Sequence, residues 1–468
     1  MGAQALSYKY PVKKTGLVLA GLTVGLFGAA GMAKAESLEE VLASTYSTNP
    51  TLLARRARLR SADEAVPQAL ANWRPTVAMT GSVGRGLYSN NAYAKYDMAR
   101  TPKTGAVTLT QPLYRGGRTV AATSQADNTV LSERALLAAT EQSILLAATN
   151  AYLNVVRDEE VVKLSINNEQ VLRRQLEATQ ERFKVGEITR TDVSQAEARL
   201  SKATADRVAA EGTLQSSRAN YLNNVGRPPE TLVQPTLPPT MPATLDEVSA
   251  VALAQNPNVV AADYSYAAAQ DGVDLVFGEL LPTVSLSADV NRSLQTSTMK
   301  SETIAQEVLL NLSVPLYEGG GTYSRVRASK HTAGQRRIEA DQARRDAMET
   351  GSKAWETLQA AKAQAKAFES QIKASELALA GVREESKVGS RTVLDVLNAE
   401  QELFDARVNL AKAQHDVLAA GYQVKSALGQ MTAQGLNLSV EVYDPTKHYD
   451  DVRGKWIGNG IDKENGYE

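Results

Sequence analysis

The sequence predicts a mixed α and β membrane protein, built from an internal duplication, in which long helices continue from short strands. Three observations predict this fold class. The two halves of the 468-residue chain repeat each other, and helix-forming segments run without interruption far beyond the diameter of a globular domain. Each half also holds two short segments in which apolar and polar residues alternate. Four such strands are too few to close a barrel in lipid, so we also expect oligomerisation.

The N-terminus has the pattern of a secretory signal. Three lysines precede the uncharged apolar run 17–33, which ends in the small-x-small pattern Ala33-Lys34-Ala35 of a signal-peptidase site. We interpret residues 1–35 as a removed signal peptide, with a retained membrane anchor as the alternative. The signal predicts export from the cytoplasm.

Composition excludes several classes of function. The formal charge is −1, or −5 without the four lysines of residues 1–35, so we expect no nucleic-acid partner. The chain has no cysteine, which excludes disulfides, thiolate metal sites, a cysteine nucleophile and a lipid-bearing N-terminal cysteine. Beyond residue 35 no apolar stretch approaches the roughly 20 residues that a membrane-spanning helix needs. Any membrane-spanning segments are therefore expected to be strands.

The duplication is visible as matched motifs. Residues 37–41 match residues 244–248, and an Asn-Pro and a Pro-Thr-Val motif recur at the same offset of 207 residues. The Pro-Leu-Tyr-x-Gly-Gly motif at 112–117 recurs at 315–320, an offset of 203, and this second offset persists downstream. The loop between the matched blocks is therefore shorter in the second half.

The repeat predicts the organisation of the chain. We expect a signal peptide at 1–35, a first repeat at 36–229, a proline-rich linker at 230–243, a second repeat at 244–433 and a polar tail at 434–468. Each repeat is expected to contain a helix, two barrel strands and a long helix pair. The prolines of the linker favour extended backbone, and the tail has no evident core pattern.

Two very long helices are predicted. Residues 118–184 contain neither proline nor glycine, and at 1.5 Å per residue they would span about 100 Å as one helix. A returning helix is expected at 191–224, and the pair recurs at 323–387 and 392–428. Alanine is frequent along these segments, so the helices can approach closely. An ordinary long coiled coil is the alternative.

The alternating segments predict two strands in each repeat. They lie near 77–83 and 107–110 in the first half, and near 284–291 and 308–314 in the second. Their length of about nine to eleven residues suits a tilted membrane-spanning strand, although a soluble hairpin in each repeat is the alternative. A dimer would supply eight strands and a filled interior, whereas a trimer would supply twelve and begin to leave a lumen. A channel therefore favours the trimer.

The order of helix, strand pair, long helix, turn and returning helix occurs twice after the predicted signal. Together with the Asn-Pro, Pro-Leu-Tyr-x-Gly-Gly and Val-Gly-x-x-Thr-x-x-Asp-Val motifs, it resembles the TolC family of outer-membrane efflux proteins over nearly the whole mature chain. The resemblance implies a trimeric twelve-stranded outer-membrane β-barrel, with four strands per subunit. A long periplasmic α-helical barrel with a closed tip would continue from it.

The resemblance also implies a passive exit duct. A homotrimer surrounded by outer-membrane lipid would work with a periplasmic adaptor (membrane fusion protein) and an inner-membrane pump of the RND or ABC type. Docking of these partners would open the tip. The exported cargo would be small molecules, as in efflux, or proteins, as in type I secretion.

The periplasmic gate is expected at the two turns between long and returning helices. Thr189 and Thr392 each begin a capping box with an acid three residues later. The resemblance implies the gate residues Asp395, Asn398, Asp192, Arg391 and Thr191. Three Asp395 side chains converging on a threefold axis would raise one another's pKa and attract cations. Capping alone, and a solvated Arg391 rather than a latch, are the alternatives.

Two positions depart from the family pattern. Asn398 stands where a second aspartate is expected, so plugging by divalent cations should be weaker. Ser386 stands where an aromatic residue would complete the lock between helix pairs, so the lock should be weaker or built differently.

No catalytic, cofactor or metal site is predicted, and the chain is not expected to be an enzyme. His331, His415 and His448 are scattered without a metal-ligand spacing or an acidic orienting residue, and are interpreted as surface residues. An exported structural coiled-coil protein or a periplasmic adaptor is the alternative. Neither explains a duplicated unit that contains matched strands.

Overall fold

The computed structural model describes residues 36–88, 98–238 and 241–461. The predicted signal peptide lies outside the described residues, as do parts of the first strand loop, the linker and the tail. In the first repeat the described elements are α1 (Leu38–Thr48), α2 (Pro50–Asp63), α3 (Ala65–Leu70), β1 (Thr76–Val83), β2 (Gly86–Tyr88), β3 (Met98–Arg100), β4 (Lys103–Arg115), α4 (Arg118–Lys184) and α5 (Arg190–Val225). The remainder holds α6 (Leu245–Gln255), α7 (Pro257–Phe277), β5 (Thr283–Leu294), β6 (Glu302–Ser313), α8 (Gly321–Lys387), α9 (Val393–Ala427) and α10 (Lys447–Arg453).

The long strands form one antiparallel sheet in the order β1-β4-β5-β6, and within the described residues β1 and β6 pair on one side only. The register aligns Val77, Leu109, Ala288 and Val308 in a row across all four strands. Because successive side chains of a strand point to opposite faces, this row and its neighbours give the sheet one apolar face and one largely polar face. The short pair β2-β3 extends the first hairpin.

The two long helices of the structure are α4 and α8, and shorter helices pack between them. Each of these two helices has 67 residues and therefore spans about 100 Å, as predicted. Helix α7 packs between them on the side of the strands, and α9 packs between them on the side of the returning turns. No described helix combines the length and hydropathy needed to cross a membrane.

The shorter helices lie at two levels, one on the side of the strands and one on the side of the returning turns. The repeated Asn-Pro motif joins these two levels. Asn256 is the N-cap of α7, where its side-chain oxygen accepts the N–H of Asn258 at 2.9 Å. Its Nδ2 donates to the carbonyl of Ala427 at the end of α9, at 3.3 Å. Asn49 makes the same contact with the carbonyl of Asn224 in α5, also at 3.3 Å. One side chain thus satisfies orphan groups at the ends of two stacked helices.

The tail packs against the first repeat, although the sequence shows no core pattern there. Leu438 of the tail is buried in one cluster with residues of α1, α2 and α4, together with Met431 and Ala433, which lie just before the tail. The N–H of Ala433 donates to Oε1 of Glu141 at 2.7 Å. The described part of the tail, up to residue 461, therefore packs against the first repeat.

The interpretation of His448 as a surface residue without an acidic partner is wrong. Its Nδ1 lies 3.1 Å from Oδ2 of Asp63, which is fully buried at the end of α2. Burial raises the pKa of the Asp63 carboxyl, while His448 acts in the opposite direction. The His415 side chain is also mostly covered, at 13% exposure, and its Nδ1 lies 2.9 Å from Oδ1 of Asp416. No local pattern indicates the first pair, because its members are 385 positions apart.

Glu141 offers a test of its contact with Ala433, just before the tail. Burial raises the pKa of its carboxyl, so the ionised form carries a desolvation cost while still accepting the Ala433 N–H. We expect Glu141→Gln, which keeps an acceptor without the charge, to leave thermal stability at pH 7 unchanged or increased. Glu141→Ala should lower the free energy of unfolding by about 1–3 kcal/mol, since the N–H of Ala433 loses its partner.

The pH dependence should differ between these Glu141 variants. A carboxyl whose pKa is raised above its ordinary 4.5 binds protons more tightly in the folded state. Stability of the native chain should therefore fall as pH rises from 4.5 through the raised pKa. Thermal melts in detergent across this window should show that slope in the native protein and a reduced slope in Glu141→Gln. Equal slopes would contradict the assignment.

Candidate gate at the returning turns

The two returning turns have the same backbone structure. Gly186 follows α4 with a φ of 80°, and Gly389 follows α8 with a φ of 79°. In both turns the N–H after the glycine donates to the carbonyl five residues earlier, at 3.0 Å. Glycine adopts this left-handed conformation without steric cost, which explains why Val-Gly recurs in both halves.

The predicted capping boxes are present at the start of both returning helices. Asp192 accepts the N–H of Thr189 at 3.0 Å, and the Thr189 hydroxyl accepts the N–H of Asp192 at 3.3 Å. Thr392 and Asp395 repeat this exchange at 2.9 and 3.2 Å. The boxes fix where each helix begins and hold both carboxylates in its first turn.

Hydrogen bonds from the backbone and then the side chain of Thr392 lower the pKa of the Asp395 carboxyl, and the Arg391 charge adds to this effect. Asp395 is therefore ionised near neutral pH in a single chain. The mutual rise expected of three converging carboxylates would act in the opposite direction, and it stays a prediction.

Arg391 pairs within its own turn. Its Nε lies 2.8 Å from Oε2 of Glu385, and this hydrogen bond raises the pKa of the guanidinium. Thr191 is exposed in the first turn of α5, beside Asp192. The structure therefore places the five predicted gate residues at the same end of the helices, on two neighbouring hairpins. The latch between helix pairs of different subunits stays a prediction.

A small apolar cluster sets the position of α9 at this end. Val393 and Leu397 are buried against Leu172 of α4 and against Ala196 and Ala203 of α5. Because these contacts lie within the first two turns of α9, they orient Asp395 and its neighbours relative to the other hairpin. The cluster connects the gate residues of the two repeats within one chain.

Arg199 makes a contact that the sequence does not predict. Its Nη2 donates to Oδ1 of Asn398 at 2.8 Å and thereby links α5 to α9. The partners are 199 positions apart, so no local spacing predicts the bond. The repeat-related position of Arg199 carries Glu402, and this reversal of charge between the halves is the signal that could have indicated it.

We expect Arg199→Ala to loosen the two hairpins relative to each other. An exposed hydrogen bond of this kind contributes on the order of 1 kcal/mol, so the open fraction of channels should rise roughly two- to tenfold. Asn398→Ala should have the same effect, and the double variant should add nothing. Single-channel recording measures the open fraction. Lys202→Ala, which removes an ion pair inside α5, is the control, and equal effects at both sites would contradict a linking role.

Comparison with known proteins decides the family. Residues 41–226 and 248–430 match the family described as outer membrane efflux protein. The chain belongs to this family. It is 36% identical to the outer membrane efflux protein BepC of Brucella suis, over 91% of this chain and 92% of that protein. It is 27% identical to the outer membrane protein TolC of Vibrio cholerae, over 86% and 92% respectively.

Two further comparisons involve a secretion protein and a solved channel structure. The alkaline protease secretion protein AprF of Pseudomonas aeruginosa is 26% identical over 64% of this chain and 63% of that protein. The solved structure of the outer-membrane channel OprN superposes with a TM-score of 0.74 at 20% identity, over 84% of this chain and 89% of OprN. This likeness confirms the predicted fold class.

As a member of this family, the chain is an outer-membrane channel. The predicted location in the outer membrane is therefore confirmed. The resemblance to the TolC family stated from the motifs is confirmed as well. The family comprises transport channels and not enzymes. Within the residues that the structure describes, no three side chains of metal-ligating type come together.

Proposed function

We propose that three copies of this chain form a homotrimeric exit duct, with a twelve-stranded barrel in the outer membrane and a helical barrel in the periplasm. The observation that carries the proposal is the four-stranded sheet, which has one apolar face and leaves β1 and β6 paired on one side among the described residues. Open strand edges are excluded from lipid, so neighbouring copies must pair with them. Three copies supply enough strands for a lumen lined by the polar face.

The proposed organisation keeps a signal peptide at 1–35, repeats at 36–229 and 244–433, a linker at 230–243 and a tail at 434–468. The recurrence of strand pair, long helix and returning helix in the two repeats supports these boundaries. The tail is part of the folded unit in this proposal, because its apolar residues are buried in the first-repeat cluster.

The gate of the proposed duct is a ring of Asp395 residues, with Asn398, Asp192, Arg391 and Thr191 around it. A periplasmic adaptor and an inner-membrane pump of the RND or ABC type would dock at this end and open it. The exposure of Val185 and Val388, about four fifths in each case, supports docking, because it leaves an apolar side chain at each turn for a partner to cover.

Small-molecule efflux is the proposed activity. The similarity to BepC, a protein named for efflux, supports it because it extends over nearly the whole chain. Protein secretion is the second candidate, and the similarity to AprF favours it. Deletion of the gene in its own bacterium should raise sensitivity to toxic small molecules if efflux is the main activity. Loss of a protein from the culture medium without such sensitivity would favour secretion.

Native mass spectrometry and bilayer recording test the assembly. The purified protein should have the mass of a trimer and should conduct ions in a planar lipid bilayer, with larger currents after Asp395→Ala. A monomeric or dimeric protein would overturn the proposed barrel. An intact trimer that stays silent in both forms would overturn the proposed channel.

A further inference from the structure

The described part of the tail runs along the first repeat toward the strands. The N–H of Tyr443 donates to the hydroxyl of Tyr46, near the end of α1, at 3.0 Å. Five residues later, His448 lies 3.1 Å from Asp63 at the end of α2. Since α2 leads through α3 to β1, each successive tail contact lies closer to the membrane-spanning strands.

Arg74, at the base of the sheet, contacts the tail at Lys455 and Trp456. It lies two residues before β1, and its Nη1 donates to the carbonyl of Lys455 at 2.7 Å. Its guanidinium also lies 4.8 Å from the centre of the Trp456 ring. The segment after α10 is therefore level with the start of β1, where the proposed membrane-spanning part of the chain begins.

Three large apolar side chains of this segment are exposed. Trp456 is 65% exposed, Ile457 91% and Ile461 80%. Lys455 precedes them, with a long aliphatic stem and a charged end. Tryptophan and lysine beside aliphatic residues suit the boundary between lipid headgroups and acyl chains, because their apolar parts enter lipid while their polar ends stay hydrated.

We propose that residues 455–461 form a membrane-interface anchor, which places Trp456 and Ile457 in the phospholipid leaflet on the periplasmic side of the outer membrane. Lipid is the occupant because the segment is continuous, through Arg74, with the strands proposed to face lipid. The inference rests on the proposed orientation of the strands and adds a second lipid contact outside the barrel.

The three tryptophans of the chain make the anchor testable by fluorescence quenching. Trp456 is retained alone in the variant Trp73→Phe/Trp355→Phe, and Trp355 alone in Trp73→Phe/Trp456→Phe. Trp355 lies in α8 about 50 Å from the start of that helix and serves as the negative control. A positive control replaces all three tryptophans by Phe and adds Val308→Trp on the apolar face of β6.

Trimers of each variant are reconstituted into vesicles of phosphatidylethanolamine and phosphatidylglycerol, with and without acyl chains brominated near the headgroup. We expect the Trp456 emission to lose several-fold more intensity to bromine than the Trp355 emission. Quenching of Trp456 no greater than that of Trp355 overturns the anchor, whether a neighbouring subunit or the lumen surrounds the ring. If the tryptophan at position 308 is not quenched either, the proposed placement of the strands fails and not the anchor alone.

Discussion

Replacing Asp395 by alanine is expected to raise the single-channel conductance of the reconstituted protein and to abolish block by divalent cations. A ring of three carboxylates at a constriction attracts cations, and a bound cation obstructs the path that it occupies. The cap holds Asp395 ionised, so the charge is available near neutral pH. The measurement is current through one trimer before and after addition of a divalent cation to the periplasmic side.

The variant Asp395→Asn separates the charge from the cap. Asparagine can still accept the Thr392 N–H, so the start of α9 should survive while the charge is lost. If the ring acts through its charge, both variants should relieve the block to a similar degree. Relief by alanine alone would show that the effect comes from a disordered helix start. Asp192→Asn, at the matching cap of α5, is the control for a change of charge elsewhere at the tip.

Asn398→Asp provides the reciprocal change. It adds a second carboxylate one turn from Asp395, so cation block should become stronger than in the native protein. It also gives Arg199 an ionised partner in place of the amide at 2.8 Å, which should reduce the open fraction. Unchanged block would show that residue 398 does not face the path of the ions.

The pH at which the block disappears tests the electrostatics of the tip. The cap stabilises the ionised form of Asp395, so its contribution is present above the ordinary pKa of 3.8 and is lost only as pH falls through the lower folded-state pKa. Block is therefore expected to persist from pH 7 down to about pH 4. A midpoint well above 3.8 would show that repulsion between three carboxylates outweighs the cap.

The parts of the fold that depend on local patterns are predictable from the sequence. The predicted helix pair 118–184 and 191–224 agrees within a few residues with the observed α4 and α5, because an unbroken run of helix formers has no competing local structure. Alternation locates the strands, although β4 starts four residues before the predicted segment. Both capping boxes are also predictable, since donor and acceptor are three residues apart.

Contacts between distant parts of the chain are not predictable in this way. The tail has too few apolar residues to reveal a core pattern, yet Leu438 is buried because α2 and α4 already provide an apolar surface. At the gate, the bond between Arg199 and Asn398 depends on how α5 and α9 pack, which no spacing in the sequence encodes. The Asn-Pro motif is visible as a repeat, but its bond to a helix end requires the stacked helices.

Gly429 is a position where a single methyl group should cost several kcal/mol of stability. Its φ is 80°, and a Cβ there would lie 2.3 Å from the carbonyl oxygen of Gln255. Alanine therefore carries the strain of the left-handed conformation, about 1–2 kcal/mol, together with a clash against backbone that cannot rotate away. We expect Gly429→Ala to lower the free energy of unfolding by about 2–5 kcal/mol in total.

The duplication supplies the matched control. Gly226 occupies the corresponding position in the first repeat with a φ of 88°, but a Cβ at this position would meet no atom within 4 Å. Gly226→Ala should therefore show the conformational strain alone. Thermal melts of both variants in detergent isolate the clash as the difference between them. Equal losses would show that α9 and α7 separate easily at Ala427 and Asn256, and that this junction does not hold the two helix levels together.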